Sequence, residues 1–458
     1  MHILVYCIIV GVFKQHFRNI NATMYGTKRR EISCKIPQQY LANSSLHGTR
    51  YLVEDDRHWT ERIFWFFVCG LSWFGCAVMI KEVFLDYRYN SVDVTVDTLY
   101  LDWQVKFPSV SVCPGFLTDG QNIIDTFMNK KFKTKGQKYN AKRLFSDQNW
   151  GFVRGSKYFD NLTGDDLAEL NEKVQMNCSD IFRRCLWNGE RFNCCNQFHR
   201  IKTMIGTCFI LNNYQVESNK ETTMDFMMNR TTGAGELDIE FNSKLTQYNS
   251  FLLNNYEIPT TTNPNDGNSI QGMKGIRHVG FTLQDVENVA GMENVAIHQR
   301  KCRFPWENED LVFYKLYNYN ACISEIWIKR MIEYCGCVGH LFPHPPWMKV
   351  CNHSELECIS KAKSAIVDNI SLKGQCISDC EGTIIFSHAN DWMEPTADKN
   401  AIIFHMLSLP SIRYKRYFTC SLLDVVVSVG SAAGLFMGAS VLSLVEIPYW
   451  LLLRGFFR

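Results

Sequence analysis

Two long runs of uncharged, apolar residues constrain this chain more than any other feature of its sequence. Ile63–Ile80 holds eighteen residues without a charge, and Val425–Val445 holds twenty-one. As a helix the first run would be roughly 27 Å long, close to the hydrocarbon thickness of a bilayer. A buried helix of a soluble protein is the alternative, but the first run lacks the amphipathic stripe of such a helix. The sequence therefore predicts two membrane spans with one large segment between them.

The distribution of lysine and arginine indicates that both chain ends lie in the cytosol. Basic residues precede the first run and follow the second, and such residues favour the cytosolic side of a membrane. Arg413, Lys415 and Arg416 lie between the spans and oppose this slightly. Ile3–Phe13 is apolar but lacks a basic region before it and a clear cleavage site, which favours a cytosolic tail over a signal peptide. The predicted divisions are a cytosolic segment (1–60), a first span (61–85), an extracellular domain (86–422), a second span (423–453) and a cytosolic tail (454–458).

Cysteines and glycosylation sequons support an extracellular middle segment. Fifteen of the nineteen cysteines lie from Cys113 to Cys420, as expected for disulfides in an oxidising compartment. Asn21 and Asn43 also match the sequon, but they lie in the predicted cytosolic segment and no sugar is predicted on either. The sequons of the middle segment, where glycosylation is predicted, are Asn161, Asn177, Asn229, Asn352 and Asn369.

Zinc binding is an alternative use for one group of these residues, whose side chains are of the types that zinc prefers. Disulfides are favoured over it because the compartment is oxidising. No metal or cofactor is therefore predicted. The residues of the alternative zinc site are Cys335, Cys337, His340, His344, Cys351, His353 and Cys358.

Charge and motif content argue against two other classes of function. The 48 basic and 46 acidic residues nearly balance, so nothing indicates a nucleic-acid partner. No G-x-S-x-G, H-E-x-x-H or phosphate-binding loop is present, and an enzyme is not predicted.

The middle segment contains signals for both strands and helices, which predicts an α+β fold. Residues 92–96 (VDVTV) alternate as a half-buried strand does, and residues 107–113 (FPSVSVC) are similar. Residues 322–334 place apolar side chains on one helical face. Residues 214–272 are rich in Asn, Thr and Ser, and we expect them to be irregular.

Three motifs in this order resemble the degenerin/epithelial sodium channel superfamily. They are Ser-Ser-Leu-His-Gly at 44–48, FPSVSVC after the first span, and GLFMGASVLSLVE at 434–446. Residues 187–212, with adjacent cysteines at 194 and 195, and residues 299–304 (QRKCRF) look like the insect pickpocket branch. The resemblance covers roughly residues 40–453. It implies two transmembrane helices flanking a large disulfide-rich extracellular α/β domain, assembled as a trimer.

The resemblance also implies a function, a setting and partners. It implies a subunit of a trimeric, amiloride-sensitive-type channel for sodium and other monovalent cations, in the plasma membrane of sensory or epithelial cells. The partners would be membrane lipid and related subunits in a homotrimer or heterotrimer. Two alternatives stay open: a non-conducting accessory subunit of a heteromeric channel, and a two-span ATP-gated cation channel, which a response to extracellular ATP would reveal.

A disulfide scheme is implied by the same resemblance. It leaves Cys420 single, and for the four cysteines between 178 and 195 it favours one of the possible pairings. Seven pairs are implied: Cys113–Cys208, Cys178–Cys195, Cys185–Cys194, Cys302–Cys380, Cys322–Cys376, Cys335–Cys358 and Cys337–Cys351.

Pore residues are implied in and near the second span. Gly438, Ala439 and Ser440 match the family's selectivity filter, where broken helix geometry would free backbone carbonyls for a small cation. Glu446 would add a ring of carboxylates, and Asp424 would either concentrate cations at the mouth or simply end a helix in solvent. The remaining implied pore and gating residues are His47 and Gly48, which match the gating motif, and Gly430 and Gly434, which recur every four residues with Gly438.

Val427 aligns with a position where degenerins usually carry a small residue. Because a bulky residue there tends to hold relatives open, the native valine predicts appreciable resting current. A register one residue later would place Ser428 at this position instead.

Overall fold

The structure is a computed structural model of the 458-residue chain. It describes residues 39–54, 57–98, 103–114, 126–127, 129–130, 163–216, 224–243, 245, 247–260, 269–273, 275–367, 375–393, 399–410 and 412–450. Residues 3–13, Asn161, Asn369 and the predicted tail 454–458 lie outside these ranges. The chain forms two compact units, one of Met1–Asp93 with Phe418–Arg458 and one of Val94–Tyr417.

Helices occur in both units, and the strands lie mainly in the second. The helices, in chain order, are α1 (Thr49–Val53), α2 (Trp59–Tyr89), α3 (Gly164–Val174), α4 (Cys178–Ile181), α5 (Cys194–Gln197), α6 (Ile297–Arg300), α7 (Tyr319–Cys335), α8 (His353–Ile366), α9 (Leu422–Met437) and α10 (Val441–Pro448), with a 3-10 turn at Met292–Asn294. The strands are β1 (Val92–Asp97), β2 (Gln104–Lys106), β3 (Ser109–Pro114), β4 (Phe182–Trp187), β5 (Glu190–Phe192), β6 (His199–Thr203), β7 (Gly206–Leu211), β8 (Met227–Asn229), β9 (Glu236–Phe241), β10 (Gln247–Leu253), β11 (Ser269–Met273), β12 (Ile276–Asn288), β13 (Ile384–Met393), β14 (Ala401–Met406) and β15 (Arg413–Phe418).

In the first unit, the long helix α2 contains the whole of the first uncharged run. Its 31 residues would extend about 46 Å at 1.5 Å per residue, more than a bilayer core requires. Large apolar side chains such as Phe67, Leu71 and Phe74 are exposed along it. Among the described residues, α2 is the one continuous helix that is long and apolar enough to cross a membrane.

The second apolar run differs from the prediction of one continuous span. It forms α9 and α10, which meet at a bend of 76° and satisfy the length and composition test for a span only as a pair. Gly438 ends α9 with φ +65°, a conformation that glycine adopts more easily than any other residue. Ser440 then begins α10, and its hydroxyl and that of Ser443 cap each other's backbone N–H groups.

The second unit is built on three sheets. The largest has eight strands in the order β1-β15-β12-β14-β9-β4-β5, with β13 paired to β12. A second sheet has the order β11-β10-β3-β7-β6, and β2 pairs with β8. One core cluster gathers side chains of both larger sheets around Phe107, whose ring centroid lies 4.8 Å from that of Trp187 and 5.5 Å from that of Phe281.

A second core cluster in this unit forms around α7. Ile323, Trp327 and Met331 on the apolar face of α7 are buried with side chains of α3 and α8. Asn318 caps the start of the helix by accepting a hydrogen bond from Ala321 N, and Gly336 ends it in a left-handed conformation. The amphipathic helix expected at 322–334 is therefore present and is slightly longer.

The expectation that residues 214–272 are irregular is wrong for much of that range. It contains β8, β9, β10 and β11, although Asn, which is common in this range, is depleted in strands. Pairing across the sheet decides the outcome, since β10 lies between β3 and β11. The Ser250 hydroxyl, for example, donates to the Ser111 carbonyl at 3.1 Å.

Disulfides brace the second unit. Among the described residues, the bridges join the same partners that the family resemblance implies. Cys69, Cys76 and Cys420 form none. The sulfurs of the alternative zinc site are paired with each other. The bridges are Cys113–Cys208, Cys178–Cys195, Cys185–Cys194, Cys302–Cys380, Cys322–Cys376, Cys335–Cys358 and Cys337–Cys351.

Candidate functional site

The break between α9 and α10 exposes backbone oxygens in the middle of an apolar segment. Gly438 N donates to Gly434 O at 2.9 Å and Ala439 N donates to Ala433 O at 3.1 Å, which closes the end of α9. Within the part of the chain that the structure describes, the carbonyl oxygens of Gly438 and Ala439 accept no hydrogen bond. Such oxygens are available to a cation or to water.

His47 packs directly against this break. Its backbone N–H donates to Met437 O at 2.8 Å, and its imidazole lies over Gly438. A β-carbon on Gly438 would lie 2.5 Å from the ring atoms Cδ2 and Nε2, closer than real β-carbons approach other atoms. The predicted gating histidine and the first residue of the predicted filter are therefore in contact.

Gly48 provides the turn that carries the chain from His47 into α1. Its φ of +79° belongs to the left-handed region, and a β-carbon there would lie 2.6 Å from Cys69 Sγ of α2. Just beyond the turn, the ring centroid of Tyr51 lies 4.5 Å from that of Trp65. Both the backbone conformation and the close approach of α2 require glycine at this position.

Ser45 connects the same N-terminal segment to α10. Its hydroxyl lies 2.6 Å from the Ser443 hydroxyl and 3.3 Å from Glu446 Oε2, and its backbone N–H donates to the same carboxylate oxygen at 3.3 Å. Glu446 is thus held by the segment before α1 as well as by its own helix. This arrangement fixes a carboxylate one and a half turns beyond Ser440.

Helix α2 supports the other side of the break. The Ser72 hydroxyl donates to Phe436 O at 2.5 Å, which occupies a carbonyl of the last turn of α9. The Phe436 ring lies against Gly75, where a β-carbon would be 3.0 Å from ring atom Cε1. The end of α9 is therefore positioned by α2 and by the segment around His47.

At the opposite end of α9, Asp424 acts as a helix cap. Its carboxylate accepts hydrogen bonds from the backbone N–H of Ser421 at 2.8 Å and from the Ser421 hydroxyl at 2.7 Å. Ser421 caps the backbone N–H of Asp424 in return. These hydrogen bonds support one of the two roles that the sequence left open for Asp424, that of a residue that stabilises the end of a helix.

The other predicted pore residues lie on exposed parts of α9. Val427 is 58% exposed, and a β-carbon on Gly430 would meet nothing within 4 Å. One on Gly434 would meet only Ala439 O, at 3.8 Å. The described chain thus provides little packing for this surface of α9.

Three of the predicted glycosylation sites lie in the described second unit. Asn177 precedes α4 and is exposed. Asn229 accepts hydrogen bonds from the backbone of Thr231 and Thr232 through its amide oxygen, and Asn352 caps α8 through the same atom. In both residues the amide oxygen accepts the hydrogen bond. The amide nitrogen, to which a sugar is attached, takes no part in it.

Sequence reasoning missed several residues that hold the break in place. Ser45 lies inside the Ser-Ser-Leu-His-Gly motif and could have been singled out there. Ser72 and Gly75 carry no local signal in an apolar helix, because their partners lie more than 360 residues away in the sequence. Only the folded chain identifies them.

Known proteins resemble the chain over nearly its whole length. The family model described as amiloride-sensitive sodium channel matches residues 40–450. Sodium channel protein Nach from Drosophila ananassae is 23% identical, with 90% of this chain and 85% of that protein covered. Pickpocket protein 28 from Drosophila melanogaster is 22% identical, with 91% and 78% covered. Epithelial sodium channel subunit alpha from Cavia porcellus is 29% identical over 29% of this chain and 23% of that protein. The chain belongs to the amiloride-sensitive sodium channel family.

Proposed function

We propose that the chain is a subunit of a trimeric channel that conducts sodium and other monovalent cations across the plasma membrane. The observation that carries this proposal is the break at Gly438–Ser440, where two backbone carbonyls accept no hydrogen bond from the described residues. Irregular backbone inside an apolar segment is tolerated only where it faces protein or water. Three such breaks around one axis would offer a ring of oxygens to a partly dehydrated cation.

Family membership and exposed apolar surface support assembly with related subunits. Val426 and Leu435 are more than half exposed in α9. In a trimer this surface would meet lipid and neighbouring subunits, with the glycine-bearing side facing the axis. Glu446 would then contribute three carboxylates below the filter, which would favour cations over anions.

The proposed topology follows from the two apolar segments. Residues 1–60 and 454–458 would be cytosolic, 61–85 and 423–453 would span the membrane, and 86–422 would be extracellular. The disulfides within the second unit support an oxidising environment for that unit. We therefore expect sugars on Asn177, Asn229 and Asn352, detectable as a mobility shift after glycosidase treatment that is lost when these residues are replaced by glutamine.

Expression of the chain alone in oocytes tests the function directly. Whole-cell current is recorded while external sodium is exchanged for a large organic cation and while amiloride is added. We expect an inward sodium current that amiloride blocks and that a Ser440→Cys channel carries with altered selectivity between sodium and potassium. Surface protein without any current would favour an accessory subunit, and co-expression with related subunits would then be the next measurement. A current evoked by extracellular ATP would contradict the proposal.

A further inference from the structure

The second unit contains a cavity that the pore does not use. Its volume is about 580 Å³, within the range of small-molecule sites. The loop that carries Asp379 and Glu381 forms one wall, and Asn320 at the start of α7 forms another. Disulfides from Cys380 to Cys302 and from Cys376 to Cys322 anchor this loop at two points. One wall of the cavity is therefore held by covalent bonds.

Acidic groups outnumber basic ones around the cavity. Glu257, Asp379 and Glu381 line it, and Arg416 is the one basic residue among the described lining residues. The Arg416 guanidinium donates to the backbone carbonyls of Cys380 and Asp379 rather than to a carboxylate. With all groups ionised the lining carries a formal charge of −3 + 1 = −2. Such a charge on groups that are partly removed from solvent is unfavourable unless a cation or protons neutralise it.

Protons neutralise part of this charge when the cavity is empty. Burial and the neighbouring Glu257 carboxylate raise the pKa of Asp379 to about 8, although the Tyr319 N–H donates to its Oδ1 at 3.0 Å. Burial also raises the pKa of Glu381, against a hydrogen bond from the Tyr256 hydroxyl. Arg416, whose own pKa is lowered by burial, offsets these shifts only in part. A bound cation would replace the proton on Asp379.

The cavity lining also contains polar oxygens that have no hydrogen-bond partner among the described residues. Asn320 is only 4% exposed, and its Nδ2 donates to Ile258 O at 3.3 Å. Its Oδ1, on the opposite side of the amide, therefore points away from Ile258 O. That Oδ1 and the Thr383 hydroxyl have no hydrogen-bond partner among the described residues. A buried acceptor without a donor costs free energy, so the site is suited to a ligand that brings N–H groups.

Apolar side chains complete the lining of the cavity, and they favour an organic cation over a metal ion as its ligand. Phe251, Leu253 and Ile385 are buried beside the acidic groups. A calcium ion requires six to eight oxygen ligands at 2.3–2.6 Å. Within the described residues, the three carboxylates of this cavity do not form a group whose oxygens all lie within 4.8 Å of one another. We propose that the cavity binds an organic ammonium compound, with the ammonium group at Asp379, Glu381 and Asn320 and an apolar body against Phe251 and Leu253.

Thermal unfolding of the purified full-length chain in detergent tests this proposal without requiring conduction. The probe is benzylamine, which is protonated at neutral pH, and the matched neutral compound is benzyl alcohol. We expect benzylamine to raise the unfolding temperature saturably, by about 2 °C at ten times its dissociation constant, and benzyl alcohol to leave it unchanged. The double substitution Asp379→Asn with Glu381→Gln should raise the dissociation constant at least tenfold.

Controls distinguish the site from general effects of charge. Glu190→Gln removes an exposed carboxylate of β5 outside the cavity and should bind benzylamine as the wild type does. If the double variant lacks an unfolding transition, Glu381→Gln alone replaces it, with a threefold or greater weakening expected. The proposal is overturned if benzylamine causes no shift, if benzyl alcohol causes an equal shift, or if the cavity variants respond as the wild type does. A shift produced by calcium chloride and lost in the cavity variants would assign the site to a metal ion instead.

Discussion

The imidazole of His47 lies against the α-carbon of Gly438, although the two residues are 391 positions apart in the chain. This contact joins the segment before α2 to the break between α9 and α10. It leaves no room for a side chain at position 438, and the backbone there is in the left-handed region. Any motion that withdraws the N-terminal segment must therefore remove this contact with the end of α9, while the contacts from α2 can remain.

Gly438→Ala should abolish or strongly reduce sodium current without preventing the protein from reaching the surface. The added β-carbon would clash with the His47 ring, and the left-handed backbone alone costs roughly 1–2 kcal/mol for a residue with a β-carbon. Current and biotinylated surface protein are measured in the same oocytes. Gly70→Ala is the matched control, because a β-carbon on Gly70 meets nothing within 4 Å. Normal current in the Gly438→Ala channel would show that the contact is not needed for conduction.

Ser45→Ala should lower the open probability by about fivefold, because it removes hydroxyl contacts of about 1 kcal/mol with Ser443 and Glu446. The selectivity between sodium and potassium should be unchanged. Ser44→Ala is the control in the same loop, since among the described residues the Ser44 hydroxyl accepts a hydrogen bond from Leu46 N and makes none to α10. Single-channel recording measures both properties, and equal effects of the two substitutions would refute a specific role for Ser45.

Glu446→Gln separates charge from position at the same contact. The glutamine oxygen can still accept from Ser45, so the segment should remain docked while the carboxylate charge is lost. We expect inward single-channel conductance to fall by about twofold and open probability to change little. A change in open probability as large as that of Ser45→Ala, with normal conductance, would assign Glu446 to gating alone.

Replacement of both Cys113 and Cys208 by serine should reduce the amount of folded protein at the surface. This bridge joins the buried ends of β3 and β7 across 95 residues, and its loss should cost about 2–5 kcal/mol of stability. Resistance to trypsin and surface biotinylation measure the loss. Cys420→Ser is the control, because Cys420 forms no disulfide. Equal surface levels of the two variants would argue against a stabilising role for this bridge.

Val427→Ala should reduce the resting sodium current if the native valine side chain favours the open state of the pore. The side chain is 58% exposed in the single chain and has room for a neighbouring subunit to contact it. The measurement is the amiloride-blocked current without any stimulus. Val426→Ala provides a control one position away, and a drop for Ser428→Ala instead would move the register by one residue. Unchanged resting current in all three channels would refute the proposed role of this position.

Some of this fold could be predicted from sequence, because the signals are local. The apolar face of α7 follows from the spacing of Ile323, Trp327 and Met331, and α2 follows from an unbroken uncharged run. The strands between 214 and 272 were missed because they lie in a segment rich in Asn, Thr and Ser: β10, for example, contains Asn249 and Ser250 and pairs with β3 and β11. Local propensity carries no information about such partners.

The residues of the candidate site likewise fall into those that a local motif identifies and those that only the folded chain brings together. Gly438 and Ser440 were identified by a motif, and His47 and Gly48 by another, but nothing in either motif specifies that His47 packs on Gly438. The hydrogen bond from Ser72 to Phe436 O could not be predicted for the same reason. The acidic cavity was also missed, since Glu257, Asp379 and Arg416 are separated by more than 30 residues from one another and only the fold assembles them.

Asp379→Asn should make the protein less sensitive to alkaline pH. The pKa of Asp379 is raised from 3.8 to about 8 in the folded chain, so the folded state holds a proton there that the unfolded state has already lost. Between about pH 4 and pH 8 the folded state binds more protons, and its stability therefore falls as pH rises, by up to about 1.4 kcal/mol per pH unit. Below pH 4 both states are protonated and this contribution no longer changes.

The asparagine variant cannot lose a proton, and its amide oxygen can still accept from Tyr319 N. Its unfolding temperature should thus exceed that of the wild type by a small margin near pH 5 and by a much larger margin near pH 8.5. Thermal unfolding of the full-length protein at these two pH values measures the difference, with Glu190→Gln as a control that should follow the wild type at both. If the Asp379→Asn protein and the wild type lose stability equally between pH 5 and pH 8.5, Asp379 does not hold a proton in the folded state. The excess negative charge of the cavity would then have to be balanced by a cation already present.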